Sequence, residues 1–480
     1  MSLDSEQTRD PKPVALIVAL IMFMALLEGT VIATALPQMA RDFGVAPSAM
    51  GISITSYLLV SATFLPASSW IAERFGARRV LTLSIAGFAL ASLLCGASTT
   101  LGFFILARMF QAFCSSLMMP VGNLVLLRVT PKRQLVQMMA ISTTPALLAP
   151  VIGPPLGGFL TQAAGWPSIF FINIPLALIG IVMVRRLIPA FASTAPGFDL
   201  KGFVLVGGSL VCTIYAFDRI GAHPDGWASD LPLLIAGAIA GVAALFHLRR
   251  SPAPLVPLIA LRHRSFTSVA FGAGFLMRLP FMGQALLLPL AFQLGFGFSP
   301  AGAGLLLLAN NLGDLALKPF VGRVIRWCGF RAALTFGTAA MMLGIAATAL
   351  LHPSWPFWLL LAAMAAIGMA RSVAFTAMAS LAFADVQSEE LPGASVLSSI
   401  GNSLSAAIGI SLSALFLNIA QQGQEPQLAD YRLAILCLAG MGMLSIPLFA
   451  RLPRTVGATV SGHKSREDRA REERESLFSP

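Results

Sequence analysis

Residues 14–37, VALIVALIMFMALLEGTVIATALP, carry one charged side chain, Glu28, in an otherwise apolar run. At ~1.5 Å of rise per residue the run is long enough to cross ~30 Å of hydrocarbon as a helix. A cleaved signal peptide is not expected: the run is too long and acids and bases mix ahead of it, although Ala33-Thr34-Ala35 imitates a cleavage site. An acid at that depth costs ~2.5 to 3.5 kcal/mol on insertion scales, so Glu28 needs a reason to be there.

Runs of the same kind recur at about 50–71, 80–98, 102–127, 137–161, 167–184, 202–217, 231–247, 266–292, 301–322, 332–351, 356–379, 394–419 and 432–450, which makes fourteen in all. Of 480 residues, 56% are hydrophobic and 11% charged, and the mean hydropathy is +0.80. These values exclude a soluble globular chain and predict an all-α integral membrane protein.

The net charge of +11 raises nucleic-acid binding as a function, and the placement of the basic residues rejects it. Loops on one side hold Arg74, Arg78, Arg79, Arg128, Lys132, Arg133, Arg185, Arg186, Lys201, Arg249, Arg250, Arg262, Arg264, Arg323, Arg326 and Arg331; loops on the other hold only Arg41, Arg219 and Arg432. The positive-inside rule then puts both termini in the cytoplasm; the location expected for the chain is a bacterial cytoplasmic (inner) membrane. The loop around Asp385, Glu389 and Glu390 has no Lys or Arg and is the exception, but acids carry little weight in that rule. Five scattered cysteines and five histidines in loops or at span ends form no metal or hydrolytic pattern, so neither an enzyme nor a metal or organic cofactor is expected.

An internal repeat organises the chain. Pro66-x-x-Ser69-x6-Gly76-x-Arg78 matches Pro319-x-x-Gly322-x6-Gly329-x-Arg331 in spacing. Both patterns end a span with a small residue for close packing, a glycine to turn, and cations to hold the turn outside the bilayer. Two six-helix bundles at 14–184 and 266–450 follow, with a linker of two additional spans over 185–265, an N-terminal stretch 1–13 and a mixed-charge tail 451–480.

Several segments now resemble the major facilitator superfamily in its fourteen-span drug/proton antiporter branch, the EmrB/QacA type. LEGTVIATALP resembles that branch's first-span signature, with Glu28 for the usual Asp and Thr30 two residues on. SWIAERFGARRVL resembles the loop signature GxLaDRxGRRxxL, with Ser69 for Gly, Glu73 for Asp and Ala77 for the first of the paired basic residues; Arg74, Gly76, Arg78 and Arg79 stand in its remaining positions. RMFQAFCSSLMMP resembles the fourth-span RxxQG pattern, keeping Arg108 and Gln111 and replacing Gly by Ala112. PVIGPPLGG, with Pro150, Gly153, Pro154, Gly157 and Gly158, followed by WPSIFFINIP, resembles the fifth-span antiporter signature and the start of the sixth span. The resemblance implies the superfamily's two-bundle fold, a conformational gate at the loop and fifth-span residues, and the proton gradient as energy source without a cofactor.

Ionisable residues inside the spans are few: Glu28, Arg108, Arg278, Asp314, Lys318 and Arg371. Glu28 and Arg108 fall within roughly 5 Å in depth, so they could meet. They form either a static pair that fixes two helices or a proton site, where burial and a neighbouring guanidinium act on the carboxyl in opposite senses. Arg278, Asp314 and Lys318 lie near mid-depth as a structural network or a second titrating site. Arg371 either snorkels or meets an anionic substrate group. Tyr57, Gln111, Gln284, Gln293, Asn310, Asn311 and Asn402, with Thr30 and Arg278, are candidates for a cavity combining apolar surface with few polar groups. SSIGNSLSAAIGISLSA, residues 398–414, mirrors PVIGPPLGG as a small-residue stretch, for tight helix packing or for sealing the cavity.

The expected function is a proton-coupled antiporter exporting amphipathic drugs or toxic compounds by alternating access. The alternative is a dedicated metabolite or organic-acid carrier, with Arg278 and Arg371 as ligands. Small-molecule substrates, protons and the lipid bilayer are the expected partners, nucleic acid is not, and a periplasmic accessory protein is left open.

Overall fold

The computed structural model describes residues 11–130, 134–189, 197–222, 226–387, 390–421, 424–453 and 456. Residues 1–10 of the N-terminal stretch, Lys132, Arg133, Glu389 and nearly all of the 451–480 tail lie outside them, as does the side chain of Ser69. Regular structure among the described residues is helical, without strands. That is the solution lipid imposes, since a helix satisfies its backbone polar groups within one segment.

Twelve helices are long and apolar enough to cross a membrane among the described residues. One of them, Pro300–Thr348, carries two of the predicted segments, joined across a non-helical Gly329 at φ 77°. The segment predicted at 137–161 lies within a thirteenth helix, Leu135–Ala164, outside that set of twelve.

The chain divides into two compact units: Met1–Ile214 with Pro232–Leu255 and Phe298–Gly304, and Tyr215–Leu231 with Val256–Gly297 and Leu305–Pro480. This division passes through both helices of the 185–265 linker, whereas the sequence expectation kept that linker apart from both bundles.

In the first unit α1 (Lys12–Val31) begins beside Pro11 and Pro13, where a missing N–H costs nothing. It passes through a 3-10 turn into α2 (Leu36–Phe43), which Gly44 ends in the left-handed region at φ 66°. There follow α3 (Gly51–Phe64), α4 (Ser68–Phe75), α5 (Ala77–Gly96), α6 (Leu101–Val129), α7 (Leu135–Ala164), α8 (Ser168–Phe171), α9 (Asn173–Leu187), α10 (Leu200–Ala222) up to Ile214 and α11 (Trp227–Arg250) from Pro232. Ile17, Ile21 and Met24 of α1 form a buried core with Leu81 and Phe88 of α5, Met118 and Val125 of α6, and Val184 of α9. α10 rests on α3 and α4 through Phe203 against Phe64 and the preceding Phe198 against Trp70. α10 and α11 are among the least buried spans, so most of their apolar surface is left for lipid.

The second unit contains α12 (Arg264–Ala270), α13 (Ala273–Leu290), α14 (Pro300–Thr348) from Leu305 onward, its first turn belonging to the first unit, α15 (Phe357–Ala382), α16 (Leu391–Gln421), α17 (Leu428–Met443) and α18 (Ser445–Ala450). The predicted single span 266–292 is broken at Phe271 and Gly272. Small residues set the close crossings: a Cβ on Gly313 or Gly368 would strike the backbone of Ala365 or Asn310 where α14 crosses α15. Gly409 likewise receives the backbone of Leu279 on α13.

The repeat seen in the sequence has a backbone counterpart. Gly76 turns at φ 85° between α4 and α5, and Gly329 at φ 77° within α14, so both halves of the pattern bend on a glycine in the region that other residues rarely enter.

Candidate functional site

Glu28 lies in the last turn of α1 with only 4% of its surface exposed, and Arg108 on α6 has 1%. The Arg108 guanidinium pairs through Nη1 with Oε1 of Glu28. Asn173, the first residue of α9, donates from Nδ2 to the other carboxylate oxygen at 2.6 Å. Each carboxyl oxygen therefore has its own donor, one from α6 and one from α9.

Arg108 has further partners. Its Nη1 donates to Oε1 of Gln111 at 2.6 Å and its Nε to the Ser53 carbonyl at 3.4 Å, while its Cζ stands 4.5 Å from the ring centre of Tyr57. Gln111 passes the network on to Ser92 Oγ at 2.8 Å. The guanidinium therefore keeps a hydrogen-bond acceptor, a carbonyl and an aromatic face whether or not it holds Glu28.

Sequence reasoning reached Glu28, Arg108, Gln111 and Tyr57 but did not single out Asn173, Ser92 or Ser53. Asn173 stood inside the quoted WPSIFFINIP; a lone amide in an apolar segment beside an intramembrane acid was the available signal. Ser92 and Ser53 gave none, because small hydroxyls are common in membrane helices.

The fifth-span signature meets α1. The Thr30 hydroxyl has three carbonyls within reach of its one proton, those of Leu27 at 3.0 Å and Leu26 at 3.3 Å on its own helix and that of Ala149 on α7 at 3.4 Å. Gly153 leaves room for the Thr30 side chain, and Gly157 for the Val31 carbonyl and Thr34. Gly158 lies against the Pro300 carbonyl and Gly304 against that of Pro154, so α7 also takes the first turn of α14 backbone to backbone. Pro150 is half-buried and Pro154 buried on the same helix. In the loop signature, Glu73 faces Arg128 at 3.6 Å and Arg78 donates to the Arg185 carbonyl, while Arg74 and Arg79 are exposed.

In the second unit Asp314 on α14 meets Arg371 of α15 at 3.4 Å and Lys318 at 4.0 Å. Arg371 also donates to Asn311 Oδ1 at 2.7 Å and lies 5.0 Å over the Phe281 ring. It is thus turned toward protein partners, not snorkelling. Arg278 does not join Asp314 and Lys318. It donates to the carbonyls of Val269 and Ala270 at 2.9 and 3.0 Å, the helix-end acceptors freed where α12 breaks before α13. Of the remaining candidates, Gln284 is buried, Asn310 donates to the Met364 carbonyl at 3.3 Å, Asn402 is exposed, and Gln293 sits in the π turn Ala291–Gly295.

The family model described as Major Facilitator Superfamily matches residues 18–271 and 270–480. The protein named "Putative multidrug resistance protein MdtD" in Escherichia coli O6:H1 is 34% identical over 469 residues, covering 93% of this chain and 95% of its own. Its namesake in Klebsiella pneumoniae subsp. pneumoniae is 32% identical over 464 residues, covering 92% and 95%. Among solved structures, a peptide transporter POT in complex with sulfate superposes with a TM-score of 0.67 at 14% identity, covering 92% of this chain and 95% of that one. The nucleoside transporter NupG superposes at 0.56 with 14% identity, covering 91% and 98%.

Proposed function

Because this chain belongs to the major facilitator superfamily and is a multi-pass membrane transporter, we propose that it is a proton-coupled antiporter exporting amphipathic drugs from the cytoplasm, with Glu28 as the proton carrier. The buried Glu28–Arg108 pair is the observation that carries this reading. Orphaning one partner of a buried pair costs ~3 to 5 kcal/mol. One charge moving through ~100 mV releases only about 2.3 kcal/mol, so the pair cannot simply be pulled apart. A proton arriving at Glu28 removes that penalty on the acid side. Arg108 removes it on the basic side, because Gln111, Ser53 and Tyr57 already hold it.

Protonation then frees α1 from α6, and the two-bundle fold converts that release into alternating access. The glycine contacts of α7 are the natural gate, since backbone against backbone either fits closely or separates. Fourteen spans, both termini in the cytoplasm and a place in the inner membrane complete the reading, supported by the one-sided distribution of loop arginines. The carrier of organic acids is the weaker alternative: it needs Arg278 and Arg371 as ligands, and both are occupied by carbonyl, amide or carboxylate groups of the protein.

Proteoliposomes with an imposed pH gradient test the proposal. Glu28→Gln should abolish gradient-driven accumulation of a cationic dye while leaving dye counterflow at zero gradient. Wild-type accumulation by this variant would remove Glu28 from coupling. Equal drug susceptibility of cells with and without the protein would redirect the substrate search to metabolites.

A further inference from the structure

Two adjoining cavities at the arginine-rich end of the first unit lie outside the network around Glu28. One, of about 500 Å³, is walled by Arg78, Arg79 and Arg185 beside Thr82 and Phe75. The other, of about 450 Å³, is apolar and runs between α5 and α6 past Leu83, Gly87, Phe110, Phe113 and Leu117. They share Phe75, Arg79 and Leu83, so the two lie side by side against the same side chains. Arg79, Leu83 and Gly87 recur one helical turn apart, which carries the apolar cleft ~12 Å along α5 away from the arginines.

Charge is uncompensated at the mouth. Arg79 and Arg185 are exposed and form no ion pair among the described residues. The nearby Glu73 is engaged by Arg128 at 3.6 Å. Arg78 reaches the Arg185 backbone carbonyl and so draws the two basic segments together. A cationic mouth at the membrane end of an apolar cleft complements one molecule abundant in that plane: a phosphodiester with hydrocarbon chains.

We propose that this compound site binds an anionic phospholipid, its phosphate at Arg79 and Arg185 and one acyl chain in the cleft between α5 and α6. A free phosphate ion would use the mouth alone; the apolar cleft adjoining it selects the lipid. The lipid would bridge the loop after α4 to α5, α6 and the end of α9, so membrane composition can act on that loop.

Purified full-length protein in detergent, titrated with dioleoyl-phosphatidylglycerol or dioleoyl-phosphatidylcholine and weighed intact by native mass spectrometry, tests this. The wild type should retain the glycerol lipid in preference to the choline lipid, and inorganic phosphate should not displace it. Arg79→Gln and Arg185→Gln should each weaken retention about fivefold. Leu83→Trp, which fills the cleft and leaves the arginines, should weaken it as well. Equal retention of both lipids, unchanged retention in the arginine variants, unchanged retention in Leu83→Trp, or displacement by phosphate would each overturn the proposal. Arg185 is exposed at a helix end, so Arg185→Gln decides the matter even where Leu83→Trp fails to fold.

Discussion

Asn173 donates to Oε2 of Glu28 at 2.6 Å, opposite the oxygen that Arg108 takes. Three helices, α1, α6 and α9, therefore meet at one carboxylate. Asn173→Leu keeps the bulk and deletes the donor, leaving one buried oxygen without that partner at a cost of ~1 to 3 kcal/mol. Its Tm in detergent should fall and its gradient-driven transport slow. In Glu28→Gln the same change should cost less, giving a coupling energy; additive effects would mean that the two residues act separately.

Asp314 and Arg371 make the corresponding test in the second unit. Arg371 and Lys318 both address Oδ2 of Asp314, and the buried Oδ1 already has no partner; Arg371→Gln removes the nearer cation and leaves the carboxylate with Lys318 at 4.0 Å. A stability loss of ~1 to 3 kcal/mol is expected. Asp314→Asn with Arg371→Gln should regain much of it, because neither charge is then left alone. This double variant should still accumulate less substrate against a pH gradient than the wild type. Full accumulation would exclude Asp314 from coupling.

Much of this was legible in the sequence. Helices long enough to span follow from apolar run length alone, and Glu28 and Arg108 were brought together by depth counting, because a helix has a fixed rise. Arg278 escaped the same counting. Depth places residues along the membrane normal but not around it, and the break at Gly272 turned that guanidinium back onto its own chain. Asn173 was hidden for another reason: a neutral amide leaves no mark in a charge inventory, although it holds the second oxygen of the key acid.

The glycines give a contrast within one helix pair. A Cβ on Gly29 would meet nothing within 4 Å, whereas on Gly157 it would run into the Val31 carbonyl and stand 2.7 Å from Thr34 Oγ1. Gly29→Ala should raise stability by ~0.5 to 1 kcal/mol, since alanine loses less entropy in a helix. Gly157→Ala should cost ~1 to 3 kcal/mol through overpacking. Thermal unfolding of both variants in one detergent checks the sign. A neutral Gly157→Ala would mean that α1 and α7 separate easily, and the proposed gate would lose its tight state.

Asp199 carries the last prediction. It lies just ahead of α10, accepting from Gly202 N at 2.8 Å, from Leu255 N at 3.1 Å and pairing with His247 Nε2 at 2.7 Å. Burial pushes its carboxyl up, but these donors together outweigh that and hold it below the ordinary value of 3.8. A group depressed in the folded state adds stability above its unfolded pKa and loses it as pH falls through the folded one. The wild type should therefore lose stability on acidification below about pH 4, through the contacts that tie α10 to the end of α11. Asp199→Ala should lower stability at pH 7 by ~0.5 to 2 kcal/mol, the usual worth of a helix cap, and flatten that acid limb. An acid limb unchanged in Asp199→Ala would assign the acid sensitivity to other carboxylates, and the tie between the two helices would then rest on packing alone.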